Sequence, residues 1–346
     1  MSTKQYINTL VCSDAVRAIK KLEDESIDLV VTSPPYWDAV EYDVTSPESS
    51  GDYETYLNNL LEVWKECLRV LRPNGKLAIN SPIMPIPKAV IGDQHTRHLK
   101  NINNDIEASI LRSTAAERYS TFVWQKQTSK LMFGSYPYPG NILEANTVEF
   151  INVYVKPGKP PTFSKEVKNA NKLEQWEWTD LTQQVWFMYP EDIFRSNDHP
   201  APFPVKLPLR LIKMYTMGAT DNFLGETVLD PFCGTGTTCV AAKALKRNFI
   251  GIDLSEKYLR LAAERIADTE RGDAINLLVG RASYLNTAEL DQLLFDCLSK
   301  DEGSSTGKEH GSKHKKKRYG RAAGDETKQL DFGLLSDEEI IKHLND

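Results

Sequence analysis

The sequence predicts an α/β fold with a doubly wound, mostly parallel sheet. Short apolar runs rich in β-branched residues alternate with segments of helical spacing, which is typical of strands joined by crossover helices. Two of these runs end abruptly in turns, one rich in proline and one rich in glycine. The 346 residues include 40% hydrophobic residues, enough to bury a core, and the length suggests about two domains.

Composition excludes several classes of protein. With 42 basic and 48 acidic side chains the net charge is −6, so overall charge does not indicate a nucleic-acid binder. Apolar runs stay well short of the ~18 residues that a membrane helix needs, and the N-terminal residues do not resemble a secretion signal. Five cysteines without a CxxC pair argue against disulfides and zinc knuckles, so we expect a reducing cytoplasm. His95 and His98 lack a third ligand at metal spacing, and we expect no metal.

The first half of the chain reads as strand, helix and strand. The pattern predicts a strand over residues 6–11, a helix over 14–22 and a buried strand over 27–31. Two consecutive prolines then stop the third element, because proline cannot continue a central strand. The following elements are a leucine-rich helix over 53–71, a turn at 72–75, an aperiodic stretch over 81–115, and strands over 76–80, 121–124 and 148–155.

The second half repeats the alternation. After an aperiodic stretch over 157–198, a helix is expected within 199–215. A strand over 226–229 enters a glycine-rich turn, which leads to a helix over 239–245 and a strand over 248–252. Beyond residue 300 the composition predicts a flexible basic tail with a short C-terminal helix.

The glycine-rich turn, Asp230-Pro-Phe-Cys-Gly-Thr-Gly-Thr-Thr238, predicts a nucleotide-like ligand. Glycines allow close backbone approach, and the following helix N-terminus favours an anionic group. The GK[ST] of a P-loop is absent, and Cys239 stands where a dinucleotide fingerprint has its third glycine. Asp253, at the end of the next strand, could accept hydrogen bonds from ribose hydroxyls. A tight turn without ligand is the alternative.

The proline-rich turn, Ser33-Pro34-Pro35-Tyr36, suits a planar ring that carries an amino group. The prolines fix the backbone, so the Ser33 hydroxyl and the Pro34 carbonyl can be held as acceptors, and Tyr36 offers a stacking surface. The alternative is a stiffened turn at the end of a core strand.

Together, TSPPYW, DPFCGTGTT and GIDL resemble the motifs of DNA amino-methyltransferases that use S-adenosylmethionine. The catalytic motif precedes the donor motif, as in the circularly permuted β class. The resemblance implies a Rossmann-like class I methyltransferase fold, permuted, with an inserted target-recognition region. It places catalysis at the SPPY residues named above. The donor-binding residues that it implies are Asp14, Phe203, Asp230, Phe232, Gly234, Gly236, Thr237, Asp253 and Leu254.

Within the resemblance, the serine of SPPY is commoner among cytosine-N4 enzymes, and aspartate or asparagine among adenine-N6 enzymes. Ser33 therefore favours cytosine N4 as the target, with adenine N6 as the alternative. Methylation at cytosine C5 would need a Pro-Cys nucleophile, which the chain lacks. A non-catalytic DNA-binding subunit of the same fold is a second alternative, and the intact motifs speak against it. Cys239 and SPPY disfavour a nicotinamide dehydrogenase.

The expected partners are double-stranded DNA with a flipped base and a cognate restriction endonuclease in a prokaryotic cytoplasm or nucleoid, with no membrane. The tryptophans of the 157–198 stretch are expected to pack rather than to act as base wedges. Candidate DNA contacts are Lys159, Lys165, Lys168 and Arg195. The expected domains are a catalytic half (1–156, basic insert 86–118), a target-recognition region (157–198), a donor half (199–299) and the tail (300–346).

Overall fold

A computed structural model describes residues 2–37, 52–85, 99–126, 138–140, 147–188 and 203–271. All of these residues belong to one compact unit, Met1–Cys297. The strands are β1 Thr9–Cys12, β2 Ile27–Thr32, β3 Leu71–Pro82, β4 Met84–Pro85, β5 Leu99–Lys100, β6 Glu117–Lys126, β7 Val148–Val155, β8 Val185–Met188, β9 Thr227–Asp230 and β10 Asn248–Asp253. The helices are α1 Ala15–Ile19, α2 Tyr53–Val70, α3 Ile102–Ser113, α4 Lys165–Ala170, α5 Gln175–Leu181, α6 Lys206–Tyr215, α7 Thr237–Ala244 and α8 Glu256–Ala267.

Eight strands form one sheet in the order β1-β10-β9-β2-β3-β7-β6-β8. Every neighbouring pair is parallel except the two pairs that β7 makes with β3 and β6. The chain leaves β2 toward β3 and leaves β9 toward β10, so the winding direction reverses between β2 and β9. The predicted doubly wound, mostly parallel sheet is confirmed.

Hydrophobic clusters cover both faces of the sheet. Residues of β2 alternate between them, with Val30 in the cluster formed with α1, α2 and α3, and Leu29 and Val31 in the cluster formed with α6 and α7. All six residues of β2 are buried, as expected for a parallel strand covered on both sides.

Helix α2 shows how the sequence specifies one of these layers. Asp52 caps its N-terminus by accepting a hydrogen bond from the Thr55 backbone N–H at 2.8 Å. Residues at helical spacing then form the buried face: Tyr56, Leu60, Val63, Trp64 and Cys67. The predicted helix over 53–71 is confirmed to within one residue.

Two predictions about the middle of the chain are wrong. The turn expected at residues 72–75 lies inside β3 as a bulge, where the pairing with β2 jumps from Ile27↔Leu71 to Leu29↔Lys76. Both stretches taken as aperiodic contain regular elements: residues 81–115 contain α3, which Asn101 caps, and residues 157–198 contain α4, α5 and β8. Within the described residues, no helix is long and apolar enough to cross a membrane.

Candidate active site

The two sequence motifs meet at the carboxyl ends of neighbouring strands. β2 and β9 are paired through Leu29↔Val228 and Val30↔Leu229, so the segments that follow them leave the sheet side by side. The Thr32 hydroxyl donates a 2.7 Å hydrogen bond to Asp230 Oδ1 across this junction. Ligands of open α/β sheets bind at such a switch point, which makes this edge the candidate site.

Asp230 anchors the glycine-rich turn rather than facing solvent. Its side chain is buried, and burial raises its pKa to about 6, although the hydrogen bond from the Thr32 hydroxyl opposes the rise. Besides Thr32, Asp230 Oδ1 accepts a hydrogen bond from the Phe232 backbone N–H at 3.1 Å. The carboxyl group therefore ties the turn to both strands.

Asp253 holds the turn from the β10 side. Its Oδ2 accepts the Gly234 backbone N–H at 2.9 Å, and its Oδ1 accepts the Ser255 backbone N–H at 2.8 Å. Burial raises its pKa, and these backbone hydrogen bonds oppose the rise. Each carboxylate oxygen retains a lone pair, so Asp253 can still accept from a ribose hydroxyl.

Gly236 immediately precedes α7, and its backbone is in the left-handed region with φ at +78°. A Cβ there would lie 2.7 Å from Ala262 Cβ, so α8 packs directly against the backbone of the turn. The Arg265 guanidinium on the same helix donates to the Thr235 carbonyl and to the Thr237 hydroxyl at 2.6 and 3.0 Å. The turn is thus held at a geometry that an additional side chain would disturb.

The other predicted donor-binding residues lie around this edge or pack beneath it. Asp14 caps α1 by accepting the Arg17 backbone N–H at 2.8 Å. The preceding Ser13 N–H donates to the Asp253 carbonyl, which places the ends of β1 and β10 together. The Leu254 carbonyl is 3.6 Å from Cys12 Sγ, and Phe203 packs against the hydrophobic cluster of α6 and α7.

The proline-rich turn points polar groups at the same edge. Ser33 Oγ lies 3.1 Å from the Asn80 carbonyl oxygen and 3.0 Å from the Tyr36 hydroxyl. Tyr36 is 7% exposed, and its hydroxyl donates to Glu149 Oε2 at 3.0 Å. The Tyr56 hydroxyl of α2 donates to the Pro35 carbonyl at 3.2 Å, which fixes the turn from below. Pro34 is buried.

Three further side chains, to which the sequence analysis assigned no individual role, complete this cluster. Asn80 Nδ2 donates to Glu149 Oε2 at 2.6 Å, and Lys126 Nζ donates to Glu149 Oε1 at 2.8 Å. Asn80 and Glu149 are both buried. Asn80 lies two residues before the end of β3, Lys126 ends β6 and Glu149 is the second residue of the antiparallel β7, so all three lie near one edge. The sequence does not show that these three side chains meet, and the sheet order brings them together.

The predicted DNA-contacting lysines are not brought to this edge. β7 runs away from it, so the residues after Val155 emerge at the amino ends of the parallel strands, where Gly158 packs on Pro73. Lys168 lines a cavity of about 790 Å³ at that opposite end, beside Asp28. Lys159 and Lys165 belong to the same connection, and Arg195 lies outside the described residues.

The tryptophans of this connection behave in two ways. Trp186 is buried and stacks on Phe122 at 4.5 Å between ring centroids, as predicted. Trp176 and Trp178 are 46% and 62% exposed, so the expected packing holds for Trp186 and is at most partial for these two. The basic tail, His95 and His98 fall outside the described residues.

At the amino end of the sheet, a carboxyl pair lies away from the candidate site. Burial and the neighbouring Asp28 raise the pKa of Glu226 to about 8, so Glu226 keeps its proton to a higher pH than a free glutamate does. Asp28 Oδ1 is 2.6 Å from Arg72 Nη1, and its Oδ2 accepts the Thr227 backbone N–H at 2.7 Å. The pair stabilises the start of β9 and touches neither motif.

Comparison with known proteins supports the geometry. A family model described as DNA methylase, covering N6 and N4 methyltransferases, matches residues 27–264. The chain is 30% identical over 296 residues to the type II methyltransferase M.MjaI of Methanocaldococcus jannaschii, covering 74% of this chain and 90% of the relative.

Solved structures agree. A Thermus thermophilus protein assigned as a DNA modification methylase, solved in complex with S-adenosyl-L-methionine, is 29% identical at a TM-score of 0.59 and covers 76% of this chain and 96% of its own. The cytosine-N4-specific PvuII DNA methyltransferase has the same fold, with 16% identity and a TM-score of 0.55 over 78% of this chain and 90% of its own.

Proposed function

This chain belongs to the DNA methylase family of N6 and N4 methyltransferases, and from that premise we propose that it methylates the exocyclic N4 of cytosine in double-stranded DNA. Its fold is that of the class I methyltransferases, and its cofactor is S-adenosyl-L-methionine. The observation that supports methyl transfer at this site is the Thr32–Asp230 hydrogen bond, which joins the SPPY turn to the glycine-rich turn at the switch point, and the choice of cytosine rests on Ser33.

The donor half of the site would hold the cofactor through the glycine-rich turn and Asp253. When bound, S-adenosyl-L-methionine supplies an electrophilic methyl group. The Gly234 turn gives backbone access, and Asp253 offers the ribose an acceptor while it holds that turn. Asp14, Phe203, Phe232, Thr237 and Leu254 belong to the same proposed binding set.

The target half would activate an amino nitrogen whose lone pair is delocalised into a ring. The Ser33 hydroxyl oxygen and the Pro34 carbonyl can accept its two N–H groups and so favour a tetrahedral nitrogen with its lone pair directed at the methyl group. Both acceptors also stabilise the positive charge that develops on the nitrogen. Tyr36 would stack on the flipped base, an interaction worth on the order of 1–3 kcal/mol.

Ser33 supports cytosine over adenine, because the serine form of this motif is commoner among cytosine-N4 enzymes. The relatives of this chain are type II methyltransferases, which supports a role beside a restriction endonuclease. We assign residues 1–156 to the catalytic half, 157–198 to target recognition and 199–299 to the donor half. The proposed DNA contacts at Lys159, Lys165, Lys168 and Arg195 stay a prediction, and the position of Lys168 at the far end of the sheet does not favour it.

Mass spectrometry of nucleosides tests the proposal. Duplex DNA of varied sequence is incubated with the protein and methyl-labelled S-adenosyl-L-methionine, and the DNA is then digested. Labelled N4-methylcytosine is the expected product. Labelled N6-methyladenine would keep the reaction and change the base, whereas DNA without label would overturn the proposed activity.

A further inference from the structure

The buried network around Glu149 determines which way the hydrogen bonds of the target half run. Glu149 Oε2 accepts from the Tyr36 hydroxyl at 3.0 Å and from Asn80 Nδ2 at 2.6 Å, while Oε1 accepts from Lys126 Nζ at 2.8 Å. We propose that Glu149 is a positioning residue for methyl transfer, which acts through Tyr36 to keep Ser33 an acceptor. This inference rests on the proposed function.

The argument is a count of protons. A carboxylate paired with Lys126 can only accept, so the single hydroxyl proton of Tyr36 points to Glu149. Tyr36 is then unable to donate to Ser33 Oγ, although the two oxygens are 3.0 Å apart. Ser33 must use its own proton toward the Tyr36 oxygen or toward the Asn80 carbonyl oxygen at 3.1 Å. Its lone pairs therefore remain available for an N–H group of the target base.

Burial makes this polarity persistent. Glu149 is 5% exposed and Asn80 is 1% exposed, so bulk water has little access to these side chains and does not readily replace their hydrogen bonds. Asn80 reinforces the arrangement because its amide N–H groups face Glu149, and more distantly the Tyr36 oxygen at 3.5 Å. The Tyr36, Asn80 and Lys126 donors thus point toward Glu149, and Ser33 lies at the end of this hydrogen-bonded series.

Glutamine at position 149 keeps the size of the side chain but introduces an N–H donor. That donor can face Tyr36, which frees the Tyr36 proton to point at Ser33 Oγ at 3.0 Å. A lone pair of Ser33 is then occupied, and the amino group of the target loses its acceptor. The effect depends on the Tyr36 hydroxyl, so it should vanish when that hydroxyl is absent.

A double-mutant cycle on the full chain tests the inference by single-turnover methyl transfer to DNA. We expect E149Q to lower the transfer rate at least about tenfold while the dissociation constant of S-adenosyl-L-methionine stays within about twofold of wild type. In a Y36F background the same substitution should change the rate by less than about twofold. The matched control is E226Q, an equally buried carboxyl group at the opposite end of the sheet, which should transfer at the wild-type rate.

The outcomes separate the two proposals. An active wild type in which E149Q costs the same factor with and without Y36F would overturn the role of Glu149 and leave the proposed function intact. A drop in donor affinity that matches the drop in rate would also overturn it, because it would indicate a general disturbance of the fold. A wild-type protein that transfers no label to DNA would overturn the proposed function and the role of Glu149 together.

Discussion

Replacing Gly236 with alanine tests whether the glycine-rich turn is held by direct contact between α7 and α8. Gly236 has φ at +78°, where a residue with a side chain is strained, and an added methyl group would lie 2.7 Å from Ala262 Cβ. The backbone strain belongs to position 236 alone, whereas the steric clash also involves Ala262. A substitution at Ala262 can therefore separate the two costs.

The magnitude follows from the two contributions. Left-handed backbone costs an L residue about 1–2 kcal/mol, and an extra methyl group in a packed interior costs about 1–3 kcal/mol. We therefore expect G236A to lower the free energy of unfolding by about 2–5 kcal/mol. Because Ala262 is fully buried and supplies the colliding methyl group, A262G should recover the packing part in the double variant.

Urea denaturation of wild type, both single variants and the double variant measures this coupling. A262G alone should cost about 1 kcal/mol, since glycine is a poor helix former in α8. We expect the double variant to lose about 1–3 kcal/mol less free energy of unfolding than the sum of the losses in G236A and A262G. Strict additivity, or a G236A variant as stable as wild type, would refute the contact between the turn and α8.

Three further predictions concern the site and the far end of the sheet. S33A should slow methyl transfer by roughly tenfold to a hundredfold, because the developing charge loses an acceptor. Calorimetry should show an unchanged donor dissociation constant, and an equal loss of affinity would contradict the role of Ser33. D253A should raise that constant by on the order of tenfold or more, since a charged acceptor is lost along with the anchor of Gly234. Unchanged donor affinity in D253A would place the ribose contact elsewhere. Glu226 holds its proton more tightly in the folded protein than in the unfolded chain. Its contribution to the free energy of unfolding should therefore be greatest below about pH 4.5 and be lost as the pH rises toward the folded-state pKa of about 8. Urea denaturation at pH 5 and 8 should show this loss in wild type and a smaller one in E226Q; equal losses would contradict it.

The sheet and the meeting of the two motifs could be predicted, because both depend on local patterns. Ser33 and Gly234 follow apolar runs that end abruptly, and a parallel sheet brings strand ends to one edge. The residues around Glu149 could not be predicted in the same way. Glu149 is the second residue of the antiparallel strand β7, and it meets Asn80 and Lys126 only because β7 lies between β3 and β6.

Helix α3 and the exposed tryptophans show two other limits. Ile102, Ile106 and Ile110 have helical spacing, but the polar residues between them made the hydrophobic periodicity of the segment weak. Trp176 and Trp178 were expected to pack because large aromatic side chains usually do, and their helix α5 instead turns them outward. Which face of a short helix is covered depends on its neighbours, and these are unknown from the chain alone.

The hydrogen bond between Thr32 and Asp230 also bears on how this protein is made. It joins residues 198 positions apart, and β9 lies in the interior of the sheet although it is synthesised late. During translation the β2 edge stays without its partner until β9 leaves the ribosome, and an unpaired apolar edge invites pairing with other chains. Such a high contact order predicts slow folding, and a nascent chain truncated before β9 should need chaperones to remain monomeric.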